Sequence, residues 1–335
     1  MKTWKNTRYA LEYVLTVAAA AALRRVSLEK AQAFGRFAGR AAFALGVARK
    51  ATIANLTQRL GLADPAERRR IAGSAYANFG QTMSELAWMP ALKPEELDGI
   101  FTFGGLDRLE AARSAGKGIV CMSAHYGNWE WMGAAFIRRG FPVTFLIGTQ
   151  SNARVDKLFN EYRAKVGIKF VRIKDIRSAL RVLKGNGMVA LLGDQDGDNW
   201  GTFVPFFAAP ASTHSIGELL ARRSGAALAF GVPVRLGPRR HHLDVTMIDA
   251  PPAGLSEIQG TAWTLSEVNR LLEAAIREHP ELWLWMHRRW KSQPYQRLKG
   301  EDRRRAEDGS IFFDMREQTW KDRAGLAAFV PEGWW

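Results

Sequence analysis

His125 and Glu130, set five residues apart within residues 118–133, are the pair in this chain best suited to acid–base chemistry. A neutral imidazole can take a proton from a hydroxyl, and a carboxylate beside it can fix its tautomer and steady the imidazolium that results. On one continuous helix, a five-residue step would turn the two side chains about 140° apart. Convergence therefore needs a change of backbone direction between them. Residues 118–124 form a short apolar run of strand length, while Trp129, Met132, Gly133, Phe136 and Ile137 recur with helical spacing. His125 then leaves a strand, Gly127 makes the bend, and Asn128 caps a helix whose first turn holds Glu130, where a carboxylate is favoured. A satisfied histidine beside a capped helix would show the same spacing, so the pair gains meaning only from what gathers around it.

The flanking elements alternate. Residues 64–89 read as a helix opened by Asp64-Pro65 and stopped by Pro90, and residues 105–116 as a second helix leading into the strand at 118–124. After the helix at 128 follow a strand (142–147), a helix (151–166), a strand (168–173), a helix (175–184) and a buried strand (188–192). Residues 202–207 are mixed, 212–224 helical, 226–235 a strand with 242–248 as its hairpin partner, and 256–279 helical. The pattern predicts an α/β fold with helices covering both faces of a sheet. Sites in such sheets form outside the carboxyl ends of the strands. Gly193–Gly197 follows one strand as His125 follows another, so Asp194 or Asp196 can share its crevice. A calcium or magnesium loop is the rival reading, but the twelfth position, where a closing glutamate is needed, is Pro205. No metal is expected.

The chain has 335 residues, 47% of them hydrophobic, enough for a substantial core, and 48 Lys and Arg against 33 Asp and Glu give a net charge of +15. Such a protein seeks anions. Its basic residues are scattered in short sets with no nucleic-acid-binding signature, which favours anionic lipid or an acidic protein over nucleic acid. The single cysteine, Cys121, excludes an internal disulfide and lies in an apolar run as a core residue would. Near the N-terminus, residues 13–23 are apolar apart from Thr16, too short for the roughly 20 residues of a membrane span. A signal peptide, an interfacial anchor and an ordinary core helix pair all fit in part. Arg24-Arg25 and the helical continuation to residue 47 favour the anchor. The expected organisation is membrane-associating helices (1–50), an α/β domain (51–298) and a tail (299–335) of uncertain structure containing Trp320, Trp334 and Trp335. Before the tail, Trp283, Trp285, His287, Arg288, Arg289 and Trp290 set indoles beside guanidinium groups, which suits a lipid interface or a phosphate-bearing substrate. A packed helix end with a solvated basic face is the alternative.

Several ordered motifs resemble those of the bacterial lipid A biosynthesis acyltransferases, the late, secondary acyltransferases of the lysophospholipid acyltransferase-like superfamily. His125 through Glu130 resembles the family's His-x4-Glu motif, and Asp194-Gln195-Asp196 its Asp-Gln loop. Residues 203–207 with 210–213 resemble the segment that follows, and Glu281 through Lys291 the family's C-terminal Trp-x-Trp-x-His-Arg-Arg-Trp signature. Where the family often has glycine after the Phe-Phe pair, this chain has Ala208-Ala209. The resemblance implies a single mixed, largely parallel, glycerol-phosphate acyltransferase-like sheet. It also implies transfer of a fatty acyl chain to a hydroxyl of a lipid A precursor. The donor would be acyl carrier protein, possibly acyl-CoA, with no further cofactor. It implies a catalytic set of His125, Glu130, Arg163 and Asp194, with Arg163 matched by position between the two motifs. Glu130 would orient His125, Arg163 or backbone N–H groups would stabilise the oxyanion, and Asp194 would fix Arg163 or a polar group of the substrate. Asn128, Trp129, Gln195, Asp196, Trp285, His287, Arg288 and Arg289 are the implied substrate-binding residues. The implied location is the cytoplasmic face of the inner membrane, in contact with its surface. Another lipid acceptor, or a non-catalytic basic protein of the membrane surface, is the competing expectation.

Overall fold

Four α-helices precede the first strand in the computed structural model, which describes residues 2–307 and 311–322. They are α1 (Lys2–Leu23), α2 (Leu28–Ala44), α3 (Arg49–Arg59) and α4 (Pro65–Trp88). Asp64 starts α4 by accepting hydrogen bonds from the Ala66 and Glu67 amides, with Pro65 in the first position, where its missing N–H costs nothing. Backbone meets backbone between α2 and α4: a Cβ on Gly39 would lie 1.9 Å from the Tyr76 carbonyl oxygen, and one on Gly80 2.1 Å from that of Gly35. The second helix is therefore built into the body through one face, while Phe34 and Phe37 on its other face are exposed. Among the described residues, no helix is long and apolar enough to cross a membrane.

The sheet is assembled from β1 (Phe101–Gly104), β2 (Ile119–Ser123), β3 (Val143–Ile147), β4 (Lys169–Arg172), β5 (Met188–Leu192) and the long pair β8 (Ala227–Gly237) and β9 (Arg240–Ile248). Helices α5 (Leu106–Ser114), α6 (Trp129–Arg138), α7 (Ala153–Lys165), α8 (Ile176–Lys184) and α9 (Ile216–Ser224) connect them, and α10 (Glu257–Glu278) follows β9. The seven strands run in the order β1-β9-β8-β2-β5-β3-β4. The β8–β9 hairpin is antiparallel and every other neighbouring pair is parallel. A mixed, mostly parallel sheet flanked by helices is thus what the alternating pattern encodes. Because strand side chains alternate, Val120, Met122, Val189 and Leu191 pack with α8, α9 and α10, whereas Ile119, Cys121, Val143, Met188 and Ala190 pack with α4, α6 and α7. Burial pushes the Cys121 thiol up to about 12, in keeping with an inert core position.

Three segments depart from the sequence reading. Residues 212–224 are not one helix: β6 (Thr202–Phe206) and β7 (Ala209–Thr213) form an antiparallel hairpin, and α9 begins only at Ile216. The two turn residues, Phe207 and Ala208, both have positive φ, 51° and 53°, as the favoured two-residue hairpin turn demands. Glycine suits that conformation better than alanine. Strand β1 was not anticipated, since four residues at a sheet edge carry little periodicity. In the tail, α11 (Gly300–Glu307) is followed by a hairpin of β10 (Ile311–Asp314) and β11 (Thr319–Asp322) that includes Trp320. Trp334 and Trp335 lie outside the described residues.

Candidate active site

The turn between β2 and α6 delivers His125 to the carboxyl edge of the sheet. Gly127 adopts φ 54°, and a Cβ there would stand 1.9 Å from the Pro233 carbonyl oxygen, so no other residue fits. Asn128 caps α6 as expected, accepting from the Trp131 amide at 2.9 Å, and its side-chain amide donates to Glu85 at 2.7 Å. Residues 280–291 lie across this turn without helical structure beyond a single 3-10 turn at Pro280–Leu282, so the helix-end reading of that segment does not hold. They pin the turn through Gly127 N–H to the Leu282 carbonyl (2.9 Å) and Leu284 N–H to the His125 carbonyl (3.1 Å).

His125, Glu130, Arg163 and Asp194 do come together, but the partners are exchanged relative to the sequence reading. Asp194 holds the imidazole: its Oδ1 lies 2.8 Å from His125 Nδ1, and its Oδ2 accepts from the His125 amide and from Trp283 Nε1, both at 2.9 Å. Burial works to raise the Asp194 pKa, yet the facing imidazole and these three hydrogen bonds outweigh it and leave the group below the ordinary carboxylate range. Glu130 makes no hydrogen bond or ion pair with His125. Its two oxygens accept from Arg163 Nε (2.9 Å) and Nη2 (2.6 Å), while Arg163 Nη1 donates to Asn160 at 2.8 Å. Burial disfavours the charged guanidinium, and the Glu130 carboxylate overcomes this, so the Arg163 pKa is raised. The physical reason for the exchange is charge matching. A buried guanidinium requires a bidentate carboxylate, and Glu130 on the first turn of α6 faces α7, where Arg163 lies.

A cavity of about 480 Å³ opens beside His125. Apolar side chains dominate its walls: Phe79, Met83 and Leu86 of α4, Trp129 and Met132 of α6, Phe145 of β3 and Phe159 of α7. His125, Glu130, Arg163 and Gln195, with Ser123, Thr149, Gln150 and Asp156, supply its polar groups, and among the described residues the Gln195 amide makes no hydrogen bond. The His125 ring meets Trp129 edge-on, with centroids 5.2 Å apart. With Asp194 accepting from Nδ1–H, the imidazole keeps Nε2 free as a base, and the walls suit a flexible hydrocarbon chain. Among the described residues, no group of three or more His, Cys, Asp or Glu side chains is arranged to hold a metal ion.

The other residues singled out from the sequence divide. Trp129 and Gln195 line the cavity, whereas Asn128 is buried in its capping role. Asp196 is a brace: its carboxylate accepts from the Ser292 amide (3.0 Å) and hydroxyl (2.8 Å) and from the Asp198 amide, and its own amide donates to His287 Nε2 at 3.0 Å. Burial is the main reason the His287 pKa falls below its usual value. Trp285 is buried and donates to the Pro280 carbonyl. Arg289 is buried too, donating to the Ser212 carbonyl and the Thr213 hydroxyl; burial lowers its pKa to about 10, so it stays charged at neutral pH. Arg288 alone of this segment's arginines is exposed. The sequence reading missed Trp283 as a partner of Asp194. It also missed Glu85, a fully buried carboxylate that takes hydrogen bonds from Gln32, Gln81, Asn128 and Arg235. The spacing of Asn78, Gln81, Thr82 and Glu85 was the available signal, since it puts four polar side chains on one helix face.

The profile of the bacterial lipid A biosynthesis acyltransferases matches residues 1–292, which takes in the sheet and every residue of the site. The chain is 25% identical to the lipid A biosynthesis lauroyltransferase of Escherichia coli (strain K12), over 68% of this chain and 74% of that protein. It is 24% identical, with the same coverage, to the lipid A biosynthesis palmitoleoyltransferase of that strain. It is also 27% identical to the phosphatidylinositol mannoside acyltransferase of Mycobacterium tuberculosis (strain CDC 1551 / Oshkosh), over 52% of this chain and 57% of that protein. With the match running through the whole α/β body, the chain is an acyltransferase and belongs to the bacterial lipid A biosynthesis acyltransferase family.

Proposed function

We propose that this enzyme moves a fatty acyl chain from acyl carrier protein to a hydroxyl of a lipid A precursor by direct attack on the thioester. The observation that carries the reading is His125, held through Nδ1 by buried Asp194 and standing at the opening of an apolar cavity. Nε2 takes the proton of the acceptor hydroxyl as its oxygen bonds to the thioester carbonyl carbon. The carbon–sulfur bond then breaks, and the departing thiolate takes the proton back from the imidazolium. Asp194 stabilises that imidazolium, and no acyl-enzyme is needed. Arg163 retains N–H donors beyond those spent on Glu130 and Asn160, and with the Gln195 amide these can meet the carbonyl oxygen as it gains charge.

Exposed apolar side chains give this enzyme a means of reaching its lipid. Leu11, Val14 and Leu15 on α1, Phe34 and Phe37 on α2, and Leu45 and Val47 after it are all more than half exposed. Arg36, Arg40 and Arg49 accompany them in sequence. That combination suits shallow insertion at an anionic membrane surface, here the cytoplasmic face of the inner membrane. The net charge of +15 suits both an acidic carrier protein and a phosphorylated lipid.

Purified protein incubated with labelled acyl-carrier thioester and lipid A precursor should yield a product heavier by one acyl chain, and His125→Ala should abolish it. Retention of the full rate in that variant would end the reading. The mannoside acyltransferase relatives favour a second reading, in which the acceptor is another glycolipid. Lipid A from a deletion strain that keeps all its acyl chains would select it.

A further inference from the structure

The cavity has a definite inner end, and its position depends on a missing side chain. Same-face residues form rows across the sheet, with Cys121 opposite Ala190 and Ala190 opposite Phe145. Ser123, Leu192 and Ile147, nearest the carboxyl edge and His125, line the cavity, as do Ala190 and Phe145 about 6.6 Å deeper. The next row, Ile119, Met188 and Val143, is buried and does not. Met132 of α6 lines the cavity as well, with its sulfur 3.9 Å from Ser123 Oγ of the outer row. Ala190 leaves its own level open beside β5, so the Phe145 ring is the principal barrier there.

Phe145 rests where it does because residue 133 has no Cβ. One added there would stand 2.5 Å from Phe145 Cζ, 2.7 Å from its Cε1 and 3.1 Å from Ile168 Cδ1. Ile168 is buried and has no space to retreat into, whereas the ring borders the cavity. We propose that Gly133 and Phe145 together set the length of acyl chain the enzyme accepts, Phe145 as the floor and Gly133 as the recess that holds the floor back. This rests on the acyl-transfer reading above. A methyl group at 133 drives the ring into the cavity and shortens it. Loss of the ring deepens it.

The test offers the full-length enzyme an equimolar mixture of saturated acyl-carrier thioesters of graded length, with lipid A precursor as acceptor, and reads the products by mass spectrometry. Gly133→Ala should move the preferred chain shorter, with about fourfold discrimination for each methylene no longer accommodated. Phe145→Ala should move it longer. The double variant should match Phe145→Ala, because no ring remains to displace. Two active single variants with the wild-type profile would overturn the proposal, as would a double variant shortened as much as Gly133→Ala alone. If Gly133→Ala does not fold, an unchanged profile in Phe145→Ala overturns it by itself. Wild-type protein that transfers none of the thioesters would instead refute acyl transfer from a carrier, a failure distinct from an unmoved profile.

Discussion

Replacing Asp194 with asparagine keeps the shape of the side chain and inverts its hydrogen bonding. Two fixed donors, the His125 amide and Trp283 Nε1–H, converge on Oδ2, and the imidazole Nδ1 faces Oδ1. An amide has one acceptor oxygen, which the two fixed donors will claim, so its NH2 group is left facing Nδ1. The ring must then accept at Nδ1 and carry its proton on Nε2, the atom that should receive the hydroxyl proton. A wrong tautomer with intact geometry costs about 10³–10⁴ in kcat, or about 4–5.5 kcal/mol of transition-state stabilisation. KM should change little, because Asp194 does not line the cavity. Single-turnover acyl transfer measures the effect. A variant within tenfold of wild type, alongside a larger kcat loss for Glu130→Gln, would refute the assignment and return Glu130 to the role of orienting His125. The same variant carries a pH signature. The native pKa of Asp194 is depressed, so its stabilising contribution is fully present above the unfolded value of about 4 and is lost as pH falls through the native one. Acid unfolding of Asp194→Asn should lack that component.

Glu130→Gln strands a buried guanidinium and should lower stability by about 3–5 kcal/mol in denaturant unfolding. Adding Arg163→Met should recover most of that stability without recovering activity, and recovery of both would make the pair purely structural. Ala208→Gly relieves a left-handed alanine in the β6–β7 turn and should raise stability by about 1 kcal/mol, seen as a higher denaturation midpoint. Phe34→Ser with Phe37→Ser should leave stability nearly unchanged, since both rings are exposed, yet weaken sedimentation with anionic vesicles severalfold; unchanged sedimentation would remove α2 from the membrane surface.

Much of this architecture was legible because it rests on periodicity and caps. The strands at 119–123 and 188–192, the Asn128 cap and the helix opened by Asp64 all follow from local sequence, and topology then carries His125 and Asp194 to one edge. What local sequence could not express was pairing. Spacing brought His125 and Glu130 within reach of each other, but two carboxylates, an imidazole and a guanidinium share this site, and the lowest-energy matching depends on donors contributed from elsewhere. Trp283, distant in sequence, supplies the third hydrogen bond that makes Asp194 the partner of the imidazole. Arg163, on the opposite helix, claims both oxygens of Glu130.

Glu85 extends the same logic beyond the cavity. It is buried completely, and a bare carboxylate there would be untenable; Arg235 neutralises it from β8, while Gln32, Gln81 and Asn128 fill its remaining lone pairs. One carboxylate therefore joins α2, α4, β8 and the turn that carries His125. Because a half-satisfied buried network is worse than none, these elements must keep their spacing together. Gln32 lies on the face of α2 opposite its exposed phenylalanines, and Asn128 caps the helix that bears Glu130. The helix offering aromatic side chains to solvent and the turn presenting the base are thus two ends of a single hydrogen-bonded unit, separated by one buried side chain.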